Sequence, residues 1–153
     1  MVEKQIKLKT NVYWEITGPD GKVIDAGASH NMVLDDGFEL IVDRLAGLGG
    51  QPNLKCIAIG DDDTPTDPSQ TDLQGTELAY QSVSASRVGS AMARFHTTYG
   101  AGVGTGTIRE TVIADTVTAA GGRKCAARTV LPDIVKGAGD TLTIIWEFIF
   151  EEA

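Results

Sequence analysis

The chain has 153 residues, 42% hydrophobic and 22% charged, with a formal net charge of −8 and a pI near 4.6. That composition excludes a disordered polymer and describes one domain long enough to bury a core. It also disfavours a phosphate-binding surface, which would be basic, and no apolar run reaches the roughly 20 residues of a membrane helix.

The charge is unevenly distributed. Residues 1–10 carry Lys4, Lys7 and Lys9 against Glu3, a net of +2, and the remainder carries a net of −10. The start Met1-Val2-Glu3-Lys4-Gln5-Ile6-Lys7 has no signal-peptide apolar region, which predicts a protein made and folded in a cytoplasm. Residues 5–17 alternate, with Ile6, Leu8, Val12, Trp14 and Ile16 against Lys7, Lys9 and Glu15, and read as one long strand or two broken near Asn11. Gly18-Pro19-Asp20-Gly21 is a turn, and Lys22 to Ala26 returns as a second strand. Residues 1–10 combine an apolar face with a lysine face. They are either an ordinary edge strand or an extended arm whose Lys4, Ile6, Lys7, Leu8 and Lys9 pair with another chain.

Gly27 to Asn31 leads through Met32-Val33-Leu34 into the one convincing helix. Asp36 is the expected N-cap, with Glu39 completing a capping box. Phe38, Ile41, Val42, Leu45 and Leu48 recur at helical spacing, and Gly47, Gly49 and Gly50 supply the stop. A single amphipathic helix in a β-rich chain is expected to bury that stripe against a sheet and plug the core. On this reading Leu45→Ala costs roughly 2–5 kcal/mol, as for a buried leucine.

Gln51-Pro52-Asn53 is a short turn before a mostly buried strand, Leu54 to Ile59. Residues 61–76 form a polar loop, opening Asp61-Asp62-Asp63-Thr64-Pro65-Thr66-Asp67-Pro68 and expected to be solvated and dispensable for folding. Strands follow near 80–88, 91–99, 107–114 and 124–131, with the glycine run 100–106 and Ala120-Gly121-Gly122 as turns. The last strand, Thr141 to Glu151, sets Leu142, Ile144, Trp146, Phe148 and Phe150 on one face. The expected fold is mainly β: an antiparallel sandwich or barrel-like domain with one helix on the sheet and an N-terminal arm or hairpin.

Chemical motifs are sparse. The aspartates of 61–67 are calcium-type ligands, but EF-hand spacing is absent and two prolines limit wrapping. The glycine run lacks the lysine and serine of a P-loop and precedes a strand. Cys56 and Cys125 make neither a disulfide framework nor a zinc set, and read as buried free thiols. His30 and His96 have no partner at metal spacing. No Gly-x-Ser-x-Gly elbow is present, and a triad drawn from Ser90, His96 and some aspartate has no support in spacing. The expectation is a non-enzyme without cofactor.

Several segments, taken in order, resemble a family of tailed-phage virion proteins. They are His30-Asn31-Met32-Val33 before the helix, Ile57-Ala58-Ile59-Gly60-Asp61 ending a strand, and Thr71-Asp72-Leu73-Gln74-Gly75-Thr76-Glu77-Leu78 after the loop. Gly106-Thr107-Ile108-Arg109-Glu110, Arg128-Thr129-Val130-Leu131-Pro132 and Asp140-Thr141-Leu142-Thr143-Ile144-Ile145-Trp146 follow. Asp61 to Asp63 replace some of the glycine and threonines common there, and Thr111-Val112-Ile113-Ala114 replaces an apolar Gly-Leu-Phe-like stretch. The resemblance covers about residues 25–150. It implies a capsid decoration (cement) protein on the outer head surface, bound to the major capsid protein and to itself, a trimer favoured, with neither nucleic acid nor membrane as partner. The alternative it implies is a tail or tail-fibre component contacting other virion proteins or a host receptor. The length favours the first, because fibres more often carry repeats or coiled coils.

Overall fold

The computed structural model describes residues 4–48 and 53–153. Ten strands form two five-stranded antiparallel sheets. The first, sheet A, contains β1 (Ile6–Thr17), β2 (Val23–His30), β6 (Ser84–Val88), β7 (Met92–Tyr99) and β10 (Thr141–Glu152), in the order β2-β1-β10-β7-β6. Sheet B contains β3 (Met32–Val33), β4 (Cys56–Gly60), β5 (Glu77–Ser82), β8 (Gly106–Ala114) and β9 (Cys125–Lys136), in the order β3-β9-β8-β4-β5. The expected sandwich is therefore present, and it is not a closed barrel. No helix among the described residues is long and apolar enough to cross a membrane.

Period-two patterning sets the inner faces. Val12, Trp14 and Ile16 of β1 and Leu142, Ile144, Trp146 and Phe148 of β10 meet Ile57, Ile59, Ile113 and Ala127 of sheet B in one core. Tyr99 spans that core and donates its hydroxyl to the Ile57 carbonyl, tying sheet to sheet. Residues expected as one strand at 80–88 are two. Val83 carries the chain from β5 in sheet B to β6 in sheet A, so the segment changes partner at its middle.

The N-terminal segment is strand from Ile6, and β1 pairs with β10 along its full length, Ile6↔Glu152 to Thr17↔Thr141. That corrects the extended-arm expectation for residues 6–10: they belong to the chain's own sheet. Removing them would strip Leu8 from the core edge against which it packs.

The helix is where the sequence reading departs most. α1 spans Asp35–Ala46, beginning two residues earlier than a cap at Asp36 allows. Leu34 occupies the N-cap without a side-chain bond, Asp35 and Asp36 lie in the first turn where the helix dipole favours acids, and Glu39 pairs instead with Lys124 at 2.7 Å. Gly47 does terminate the helix in the left-handed conformation, with Leu48 N–H bonded back to Asp43. Gly49, Gly50, Gln51 and Pro52 lie outside the described residues.

The buried face of α1 is Gly37 and Leu40. A Cβ at Gly37 would sit 2.1 Å from the Ala126 carbonyl oxygen, so the helix lies directly on the backbone of β9 and only glycine permits it. That contact turns the predicted stripe outward: Phe38, Val42, Leu45 and Leu48 are exposed, Leu45 at 84%. Ile41 alone of the five is half-buried. Leu45→Ala should therefore shift stability by less than about 0.5 kcal/mol, the range of ordinary surface changes. Ile57→Ala should cost about 2–5 kcal/mol, and the two urea midpoints measured side by side check the assignment of core and surface.

Candidate docking surface

The described residues contain two unusual places, one polar and one apolar. The polar one explains the acidic loop. Residues 61–76 fold across the face of sheet B that points away from sheet A, where Cys56, Ala58, Val112, Ala114 and Cys125 form a second cluster capped by Leu73 of the loop. Alternation along β4 separates the two cores, Ile57 and Ile59 inward, Cys56 and Ala58 outward. A register shift between Ile108 and Glu110 in β8 leaves Ile108 in the inner core while Glu110 meets the loop.

Glu110 and Arg128, on neighbouring strands, are both fully buried and bond each other at 2.9 Å. The remaining valences go to the loop. The Glu110 carboxylate accepts from the N–H of Gln74 and of Gly75, and Arg128 donates to the Thr64 carbonyl and to Gln70 Oε1. A further buried guanidinium, Arg123, holds Asp72 at 2.7 Å and Glu77 at 2.6 Å. The loop is thus a strap fixed to the sheet through buried side chains of the strands, while most of its own residues are exposed as expected and Leu73 alone of 61–76 is buried.

Its aspartates are used locally. Asp61 accepts from Thr76 N–H, Asp62 from Thr64 N–H, and Asp67 from the N–H and hydroxyl of Ser69. Among the described residues no three His, Cys, Asp or Glu side chains converge as metal ligands. Cys56 and Cys125 are buried free thiols, as expected. Cys56 and Cys125 each stand across from Ala114, one strand away on either side, and burial raises the pKa of both thiols. Ser90 lies in the β6–β7 turn, while His96 stands in β7 across from Ser84 and Ile145.

The apolar place lies at the end of the sandwich under α1. A cleft of about 310 Å³ separates the helix from sheet A, lined by Leu40, Ile41, Leu45, Phe95, Phe148 and Phe150 among others. The exposed helix stripe continues that surface outward. The residues singled out in the N-terminal segment reach the same end. Lys4 pairs with Glu152 at 3.0 Å, Ile6 is 77% exposed, Leu8 is half-buried, and Lys7 and Lys9 are exposed. Leu8 and Phe38 share the wall of a second, neighbouring groove with Lys7, Lys9 and residues 30–33. Contiguous exposed apolar surface of this kind marks an interaction site more often than a solvated face.

Sequence reading singled out Ile6 and Leu8 for this surface but assigned the helix stripe to the core. Glu110 and Arg128 entered it only as members of the phage-like segments, with no role assigned to either. The available signal was an ionisable side chain inside each of two strands read as sheet, Glu110 before Thr111-Val112-Ile113 and Arg128 after Ala126-Ala127, a placement that demands a partner. Comparison of the chain with protein-family models, curated proteins and solved structures finds no match.

Glu110→Gln removes the nearer countercharge of buried Arg128, leaving it Asp62 at 3.9 Å, and should cost about 3–5 kcal/mol in urea unfolding; a loss under about 1 kcal/mol would show that the pair does not hold the strap. The strap also carries a pH signature. The Thr64 side chain and N–H hold Asp62 below the usual carboxylate range, and Ser69 does the same for Asp67. Depressed carboxylates contribute stability above their unfolded pKa, about 4, and lose it as pH falls through the lower folded values. Melting temperature should therefore drop below about pH 4 less steeply in the Asp62→Asn, Asp67→Asn double variant than in the parent.

Proposed function

We propose that this protein is a virion structural protein of the tailed-phage type, a decoration protein that attaches to the outside of the head and stabilises it by bridging capsid subunits. The observation that carries the reading is the outward apolar stripe Phe38, Val42, Leu45 and Leu48 over the Phe95–Phe148–Phe150 cleft. An exposed apolar stripe that runs on into an open apolar cleft is the kind of surface a partner covers. The ordered segments of the sequence, from His30-Asn31-Met32-Val33 to the β10 strand, support the phage-type assignment. The net charge of −8 suits an exterior position better than a DNA-lined interior.

In this reading function is binding energy spread over an interface. The major capsid protein is the main partner and copies of the chain are neighbours, a trimer favoured by the decoration analogy. The protein is made in the host cytoplasm and ends on the particle, and neither catalysis nor a cofactor enters.

The test mixes purified protein with undecorated heads and sediments them. Expected is saturable co-sedimentation, weakened roughly tenfold or more by Phe38→Glu with Leu45→Glu, as for loss of a central apolar anchor. Unchanged melting temperature in that variant keeps the result one of attachment. Absence of co-sedimentation with heads would remove the decoration reading, and binding to isolated tails instead would move the protein to the tail or fibre.

A further inference from the structure

Sheet A ends unevenly at the same end of the sandwich. β10 pairs with β1 from Ile6 onward, but β2 pairs with β1 only from Asn11↔His30. After His30 the chain leaves sheet A, and β3 pairs with β9 of the other sheet. Residues 6–10 therefore have β10 on one side and no paired strand among the described residues on the other.

The phase of the ladder shows which backbone groups face that open side. The Gln5 carbonyl accepts from Ala153 N–H, so odd-numbered residues of β1 exchange bonds with β10. Gly18 N–H donates to Lys22 on the β2 side, as the even phase requires. The N–H and C=O of Ile6 and Leu8 thus point out of the edge. Beside it runs the groove lined by Leu8, Met32, Val33 and Phe38. Asn31 lines it too, and its amide nitrogen and oxygen are covered yet bond nothing among the described residues. Covered amides normally find partners, so this one marks an unfilled position.

We propose that the Ile6–Thr10 edge takes up an extended segment of a different protein, one with apolar side chains alternating with acidic ones. Positions across from Ile6 and Leu8 would drop their apolar side chains on the groove side. Positions across from Lys7 and Lys9 would set carboxylates beside the two ammonium groups on the opposite face. Glu151 stands across from Lys7 in β10 and offsets part of its charge, whereas Lys9 faces Ile149. A second copy is the poorer occupant. Antiparallel self-pairing about Leu8 places Lys7 across from Lys9 twice, and like charges directly opposite destabilise a sheet. The lysines that guard the edge against self-association thereby select an acidic strand. That the partner is a virion subunit rests on the attachment reading above; the chemistry of the edge does not.

The experiment uses the full chain and a fluorescent synthetic peptide of alternating valine and glutamate, with a valine–lysine peptide as control. Anisotropy titration should show binding of the glutamate peptide only. Ile6→Pro removes an edge-facing N–H from an exposed residue and no β10 bond, and should weaken binding roughly tenfold, as for one lost hydrogen bond and its neighbours. Lys7→Glu with Lys9→Glu should reverse the preference toward the lysine peptide. Hydrogen exchange of the Ile6 and Leu8 amides should slow when the glutamate peptide is added to the unsubstituted chain, a readout independent of how any variant folds. Equal binding of both peptides, unslowed exchange at those amides, or a self-associated species that Ile6→Pro dissolves would each overturn the proposal. Heads that bind the protein while the peptide does not would sink this inference and keep the attachment reading.

Discussion

One close approach decides how this molecule presents itself. Gly37 presses the first turn of α1 onto the Ala126 carbonyl, at a distance that excludes any side chain. A helix can bury only the side that lies nearest its support. Here that side is Gly37 and Leu40, and the richer apolar side is rotated to the surface. Had the contact been made through Leu45, the helix would have been an ordinary plug. Made through a glycine, it is a rail that carries hydrophobic side chains outward beside an incompletely filled cleft.

The opposite face of sheet B follows a different logic. There the sheet is covered by a loop, and loops bring backbone N–H and C=O groups that must be satisfied. Glu110 and Arg128 supply the bonds, one accepting from Gln74 and Gly75, the other donating to Thr64. A buried ion pair of this sort gives little stability over an apolar pair, but each of its members requires the other. Its use is positional: it fixes where residues 61–76 run and lets Leu73 close the small core beneath. The strap also reaches the helix, since Asp35 N–H donates to the Pro68 carbonyl. The polar strap and the apolar end are thus mechanically joined.

Most strands were legible because their period-two patterns are strong. Val12, Trp14 and Ile16, or Leu142, Ile144 and Trp146, have no other way to bury themselves together. The split of 80–88 was not legible, because strand pairing at Val83 changes by topology and leaves no mark in the alternation. The helix was found and its orientation misjudged for one reason. A helical stripe reports which side is apolar, whereas burial is decided by what the neighbouring element can accept, and a glycine contact contributes nothing to a hydrophobic pattern. Aspartates at 61–67 read as solvated, and Asp63 and Asp67 are indeed exposed; what the segment itself did not reveal is its attachment to the sheet. The residues that hold the loop down lie far away, at Glu110 and Arg128. At the apolar end, Ile6 and Leu8 were visible as an alternating strand with lysines. What made them an edge was the departure of the chain at His30, a fact of topology.

The centre of sheet A is built from the first and last strands, β1 and β10, joined by a twelve-residue ladder. Their partners are separated by nearly the whole sequence, so the ladder closes the largest loop the chain can form. Such contacts are the slowest to assemble, because the entropy of closure is lost before any bond rewards it. Until that ladder forms, β1 has only β2 of its own sheet to pair with. Through that interval the β10 side of β1 stands open, with Ile6 to Thr10 open on both sides. Lys7 and Lys9 set like charges along that stretch, which disfavours its pairing with the same stretch of another unfolded copy. The charges that shape the open edge of the folded sheet thus bear equally on the chain before its longest-range ladder has closed.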